Sequence, residues 1–181
     1  LFFASPKVLL TPNRSQSPIH SAFIYGHQDL CEFLLSEAVR KSLLVETGKG
    51  LDIDVVNCSG ATPLMLAGQQ GFSSLVELCL KESANITLQD REGENVLHMT
   101  LRNRCFVCAL YILEEAVDQR GAILNKLIAA EDNDGETPLH ELAKEGSQRN
   151  ALVHDLRRTL QLLRDLKVNF LHRDASKEGF L

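Results

Sequence analysis

The stretch Asp132-Asn133-Asp134-Gly135-Glu136-Thr137-Pro138-Leu139-His140 decides the fold, because its parts recur along the chain at fixed offsets. Ser17-Pro18-Ile19-His20, Thr62-Pro63-Leu64-Met65 and Asn95-Val96-Leu97-His98 align with its last four residues. Gly60 and Gly93 repeat the place of Gly135, and Asn57 and Asp90 repeat the place of Asp132. Downstream, Gly26, Gly71 and Gly146 each fall eight residues after a proline. Apolar runs follow, such as Leu30-Cys31-Glu32-Phe33-Leu34-Leu35 and Leu75-Val76-Glu77-Leu78-Cys79-Leu80. A period of this kind is read before any single motif, since it dictates the architecture.

Each recurring piece has a physical task. Ser17, Thr62, Asn95 and Thr137 are helix N-cap residues, whose side chains accept from backbone N–H groups that the helix leaves unpaired. Proline suits the next position, where its missing N–H costs nothing. Glycine two turns later permits the left-handed backbone that ends the helix. The apolar run then forms a second, antiparallel helix, and a turn such as Asp90-Arg91-Glu92-Gly93 leads into the next unit. Neither helix buries its apolar face alone, so the units must stack.

These residues resemble the ankyrin repeat, whose pattern runs roughly Asp-x-x-Gly-x-Thr-Pro-Leu-His-x-Ala into a second helix. The unit 57–89 has the family period of 33 residues, and Ala84-Asn85-Ile86 echoes the family's closing Ala-Asp-Val. The resemblance implies an all-α solenoid in one domain: the tail of a preceding repeat over 1–11, repeats over 12–56, 57–89, 90–131 and 132–173, and the start of a further repeat or cap over 174–181. The first residue is not Met, and the chain reads as a piece of a longer protein.

Three units are longer than the period. Pro18 to Pro63 spans 45 residues, Pro63 to Val96 spans 33, and Val96 to Pro138 spans 42. The first excess lies around Ala38 to Lys49, where Leu34, Leu35, Ala38 and Val39 keep helical spacing ahead of Leu43-Leu44-Val45. In the third unit Leu113, Val117, Ile123, Leu124, Leu127 and Ile128 predict a lengthened second helix bent near Gly121. In the fourth, Ser147-Gln148-Arg149-Asn150 widens the connection before Leu152, Leu156, Leu160 and Leu163. These extensions either pad the back of the solenoid or dock a neighbouring domain. Similar lengthening occurs in ankyrin domains of membrane channels and of fungal cell-cycle transcription regulators. Two single residues also depart from the pattern. Arg104 holds a helix-ending glycine position, so either the turn differs there or strain of about 1 kcal/mol is tolerated. Met65 replaces the usual His, which predicts one missing tie between units.

Composition narrows the function. Hydrophobic residues are 44% and charged residues 24% of the 181, ordinary for a globular chain. The formal net charge is −5, without a basic block, which argues against direct nucleic-acid binding. No apolar run is long enough to insert in a membrane. Five scattered cysteines predict reduced, mostly buried thiols in a chain of the cytoplasm or nucleus. Cys105-x-x-Cys108 reads as core packing, with half of a zinc site as the alternative.

The sequence points to no catalytic centre, cofactor or metal. His20, His98 and His140 recur with the period, and the resemblance implies that they tie backbone between units. His27 follows a terminating glycine, while His154 and His172 belong to no constellation. No nucleophile elbow or phosphate-cradling loop is present. The chain therefore reads as a platform for a partner protein, or alternatively as an assembly segment of a larger channel, transcription regulator or signalling protein. Carrying over the family's variable surface positions gives Arg14, Gln16, Ile24 and Tyr25 in the first unit, and Ser59, Ala61, Gln69 and Gln70 in the second. The third contributes Arg91, Glu92, Glu94, Arg102 and Asn103; the fourth, Asp134, Glu136, Lys144 and Glu145. Tyr25 and Arg102 are the residue types that most often anchor interfaces, and the acidic end favours a partner with a basic segment.

Overall fold

Caps and prolines set where the short helices begin. The computed structural model describes residues 17–36, 51–118 and 122–143, with single positions 39, 41, 44, 45, 48, 157, 161 and 164. The helices are α1 (Pro18–Ile24), α2 (Gln28–Leu35), α3 (Pro63–Gln70), α4 (Ser73–Lys81), α5 (Val96–Arg102), α6 (Phe106–Asp118), α7 (Ala122–Ile128) and α8 (Pro138–Ala143). Among the described residues every regular element is a helix. The fold is the all-α solenoid that the repeat implied.

The predicted caps hold extended backbone at Ser17, Thr62 and Asn95. Thr62 Oγ1 accepts from the Met65 N–H at 3.3 Å. Asn95 Oδ1 accepts from the N–H groups of Leu97 and His98 at 3.0 and 3.1 Å. Histidine completes the motif in three units. The backbone N–H of Ser17, Asn95 and Thr137 donates to Nδ1 of His20, His98 and His140 at 3.2, 3.1 and 2.9 Å. An accepting Nδ1 leaves the ring proton on Nε2. That proton reaches beyond the cap, from His20 to the Val55 carbonyl at the end of its own unit at 3.0 Å and from His98 to the Glu136 carbonyl of the next unit at 3.2 Å. Met65 keeps only the local half of this arrangement: its Sδ accepts from the Thr62 N–H at 3.4 Å. A thioether has no proton to send onward.

The stack has two rows. First helices pack side by side, α1 on α3, α3 on α5 and α5 on α8, while second helices α2, α4 and α6 form the row behind them. Between the rows lies the core, with Ile19, Phe23, Leu64, Met65, Leu75, Leu97, Ile112 and Leu113 fully buried. Burying a side chain of this size stabilises the stack by about 1.5–3 kcal/mol.

Hairpin-like turns link the units. The side-chain oxygen of Asp90 accepts from the N–H groups of Glu92 and Glu94, both at 2.9 Å; Asn57 and Asp132 do the same two and four residues onward. Adjacent turns are joined by backbone, from the Arg91 N–H to Ser59 O and from the Asn133 N–H to Glu92 O, each at 2.9 Å. Gly93 has φ 79°, and a Cβ there would meet the Asp132 Cα at 2.9 Å. Both the turn and the approach of the next unit therefore need glycine.

The third unit's excess is a structured extension. α6 has 13 residues, against 8 and 9 in α2 and α4, and α7 follows it. α7 packs inward: Leu124, Leu127 and Ile128 are buried, and the Leu127 carbonyl accepts from Asn95 Nδ2 at 2.8 Å. Ile128 holds the buried position four residues before the turn that Ile86 holds in the second unit. α7 thus packs against its own stack. The expected bend at Gly121, most of the first excess and all of the fourth lie outside the described residues.

Arg104 settles the choice left by the sequence. Its φ is 57°, and the Cys105 N–H donates to Thr100 O at 2.9 Å, matching the bonds of Phe72 to Ala67 O and His27 to Ala22 O after Gly71 and Gly26. The turn is the ordinary one, and a side chain is held in it. Arg104→Gly should raise stability by about 1 kcal/mol, read as a higher urea midpoint; a lower midpoint would show that the Arg104 side chain outweighs the strain. His20 supplies a pH dependence. Burial lowers its pKa from 6.5, and hydrogen bonds to the Val55 and Ala61 carbonyls offset this only in part. The folded ring stays neutral where the unfolded one has begun to protonate, so its contribution is complete above pH 6.5 and is lost as pH falls through the lowered folded value. Melting temperature should fall between about pH 7 and about pH 5, less steeply in His20→Gln.

Candidate partner-binding surface

Stacking carries equivalent positions of successive first helices onto one face. Tyr25, at the end of α1, is 71% exposed and stands 6.2 Å from the His27 ring, centroid to centroid. Gln69 and Gln70 close α3, and Arg102 with Asn103 closes α5; all four are exposed. Asn103 is held by its own helix, with Nδ2 donating to Met99 O at 2.9 Å. Ile24 is only partly exposed and packs on the core. At the turn tips Ser59, Arg91, Glu92 and Asp134 are exposed and Glu136 is half-buried. Ser59 Oγ donates to Asn57 Oδ1 at 2.7 Å, which turns that hydroxyl inward.

Two surface positions are buried. Ala61 lies in the core, and Glu94 is 5% exposed. Glu94 is drawn in by Arg102, whose guanidinium pairs with it and also donates from Nη2 to Glu141 Oε1 at 2.9 Å. Glu94, Asp132 and Glu141 bring carboxylate oxygens within 4.8 Å of one another. Three carboxylates this close repel unless a cation sits among them, and Arg102 supplies that charge to the two glutamates. Nearby, burial pushes the Asp90 carboxyl above its ordinary value, against the Glu92 N–H and the charge of Arg102. Arg102 therefore lies at the junction of the third and fourth units, with its side chain 43% exposed. Arg14, Gln16, Lys144 and Glu145 lie outside the described residues.

Sequence reasoning did not find this network, because Glu141 sits one residue past the motif histidine, where the pattern names no partner. The apolar patch on α2 also escaped it. Leu30 is 45% exposed, while the same repeat position is buried as Leu75 and Cys108. Phe33, one helical turn further along α2, is 61% exposed.

The cysteines need one correction. Cys31 and Cys79 are buried free thiols, and Cys58 is free and exposed. Cys105 and Cys108, expected as reduced thiols, are instead joined by a disulfide with Cα atoms 5.3 Å apart. One helical turn sets both sulfurs on the same side at the start of α6, within bridging distance.

Known proteins agree with this geometry. A family model described as ankyrin repeats in three copies matches residues 36–120. The human transient receptor potential cation channel subfamily A member 1 is 30% identical over 131 residues, 72% of this chain and 10% of that protein. Its counterpart of the same name in Drosophila melanogaster is 26% identical over 140 residues, 77% of this chain and 11% of that protein. The chain thus spans about a tenth of the length of the relatives it matches. Capped helix pairs, turns bonded to turns and the matched family model place this chain in the ankyrin-repeat family.

Proposed function

We propose that this chain is a recognition module, binding a partner protein along the concave face formed by the ends of α1, α3 and α5 and by the turn tips. The observation that carries the reading is the exposed row Tyr25, Gln70 and Asn103, set at matching positions of consecutive first helices, with exposed Gln69 beside it. Tyrosine offers a large contact area for little lost conformational freedom. Glu92, Asp134 and Glu136 add acidic tips that suit a basic segment and faster association at low salt. Ankyrin repeats generally mediate protein–protein contact. Reduced Cys31 and Cys79 fit a setting in the cytoplasm or nucleus, and no described helix is long and apolar enough to cross a membrane.

A second reading has its own support. The matched relatives are cation channels, and Leu44, Val45 and Val117 are exposed apolar residues on or near the lengthened segments. In that reading the chain is an assembly segment, docking through those segments within a larger protein.

Capture of the bound partner by variants of this chain separates the two. Binding energy at an aromatic anchor is worth about 2 kcal/mol, roughly thirtyfold in Kd. Tyr25→Ala should release the bound partner by that factor while melting stays unchanged, and the exposed control Lys81→Ala should retain it. Equal retention with equal melting removes Tyr25 from the surface; loss in Val45→Glu alone favours assembly through the extension. Arg102→Ala should behave differently. It strands two buried carboxylates, so stability should drop by about 1–3 kcal/mol, seen in a lowered denaturation midpoint before any partner is added.

A further inference from the structure

Burial separates the cysteines into two kinds. It raises the Cys31 thiol to about 11 and moves the Cys79 thiol upward as well, so both stay protonated near neutrality. Cys105 has a different setting. Its carbonyl accepts from the Ala109 N–H at 3.0 Å, which makes it the N-cap of the 13-residue α6. Unpaired N–H groups and the helix dipole favour negative charge at that sulfur. Cys105 is half-buried, with Sγ 3.7 Å from the Gly71 carbonyl oxygen of the preceding unit, whereas Cys108 lies wholly in the core.

We propose that Cys105 and Cys108 form a thiol–disulfide exchange site for low-molecular-weight disulfides of the glutathione type, with Cys105 attacking and Cys108 resolving. Two observations carry this: the recorded bond between the two sulfurs, and their unequal access to solvent. The Cys105 thiolate attacks one sulfur of the small disulfide; that S–S bond breaks, and the other sulfur leaves as a thiolate that takes up the proton Cys105 gave away. The Cys108 thiol then loses its proton and attacks Cys105 Sγ, expelling the second small thiolate, which is protonated in turn. Two protein thiols become one disulfide, and one small disulfide becomes two thiols. The reverse steps reduce the pair. Such exchange suits compartments where intracellular disulfides are transient. Because Cys105 packs on the turn that ends α3, the mixed disulfide forms at the junction of the second and third units.

The whole chain, reduced and then exposed to oxidised glutathione, tests this by alkylation and peptide mass mapping. Cys105 and Cys108 should become protected together, with loss of two hydrogens and no retained glutathione. Exposed Cys58 should carry a mixed disulfide, and Cys31 and Cys79 should stay unmodified. Cys108→Ser should leave glutathione trapped on Cys105, and Cys105→Ser should slow modification of Cys108 by about tenfold or more. Circular dichroism reports whether each variant folds, and the wild-type map stands independently of them. If Cys105 and Cys108 in the native wild type remain as open to alkylation as in reductant, or if Cys108 acquires glutathione before Cys105, the assignment is wrong.

Discussion

Burial of one helix pair by the next is the interaction on which everything else in this chain depends. Helices of seven or eight residues, such as α1, α3 and α5, are too short to persist in water by themselves. They survive because each lends its apolar side to a neighbour and receives one in return. One repeat position shows the exchange, enclosed as Leu75 in α4 and as Cys108 in α6.

Polar ties fix the spacing that this packing demands. His20 and His98 complete their caps and also donate onward, His98 into the following unit, so one ring reports on local helix geometry and on stacking together. Only the neutral ring with its proton on Nε2 does both. Turn carboxylates act in the same way at the tips, where Asp90 gathers two N–H groups while its neighbour's backbone joins the preceding turn. Local and long-range preferences agree, which is why a short motif specifies the fold so firmly.

That agreement explains how much was legible beforehand. Helix starts at Pro18, Pro63, Val96 and Pro138, the turns at Gly60, Gly93 and Gly135, and the buried histidines were all readable, because each obeys a local rule. The left-handed turn at Arg104 was posed as a choice, since its geometry is imposed by the flanking units and overrides the residue's own preference. Glu94 was read as surface because turn tips are usually solvated; its burial depends on Arg102 and Glu141, eight and 47 positions onward in the chain. No window of sequence holds that arrangement. The bond between Cys105 and Cys108 was passed over for a similar reason, as apolar neighbours said core and only the helix start put the two sulfurs side by side.

The junctions are tied by different means, and the difference matters in a stack where each unit feels only its neighbours. Units one and two share the bond from the Asn85 N–H to Asp54 Oδ1, and units three and four share the His98 bond with the Arg102 network. Between units two and three Met65 carries no proton to donate, and the ties run elsewhere: from the Arg91 N–H to Ser59 O, from Gln89 Nε2 to Glu131 O and from Lys126 Nζ to Thr87 Oγ1. First helices approach closely there, since a Cβ on Gly68 would meet Thr100 Cγ2 at 2.8 Å, and it is at this junction that Cys105 rests on the Gly71 turn. Water competes for the two side-chain bonds, both exposed, so the turn bond and the close packing of first helices hold this junction.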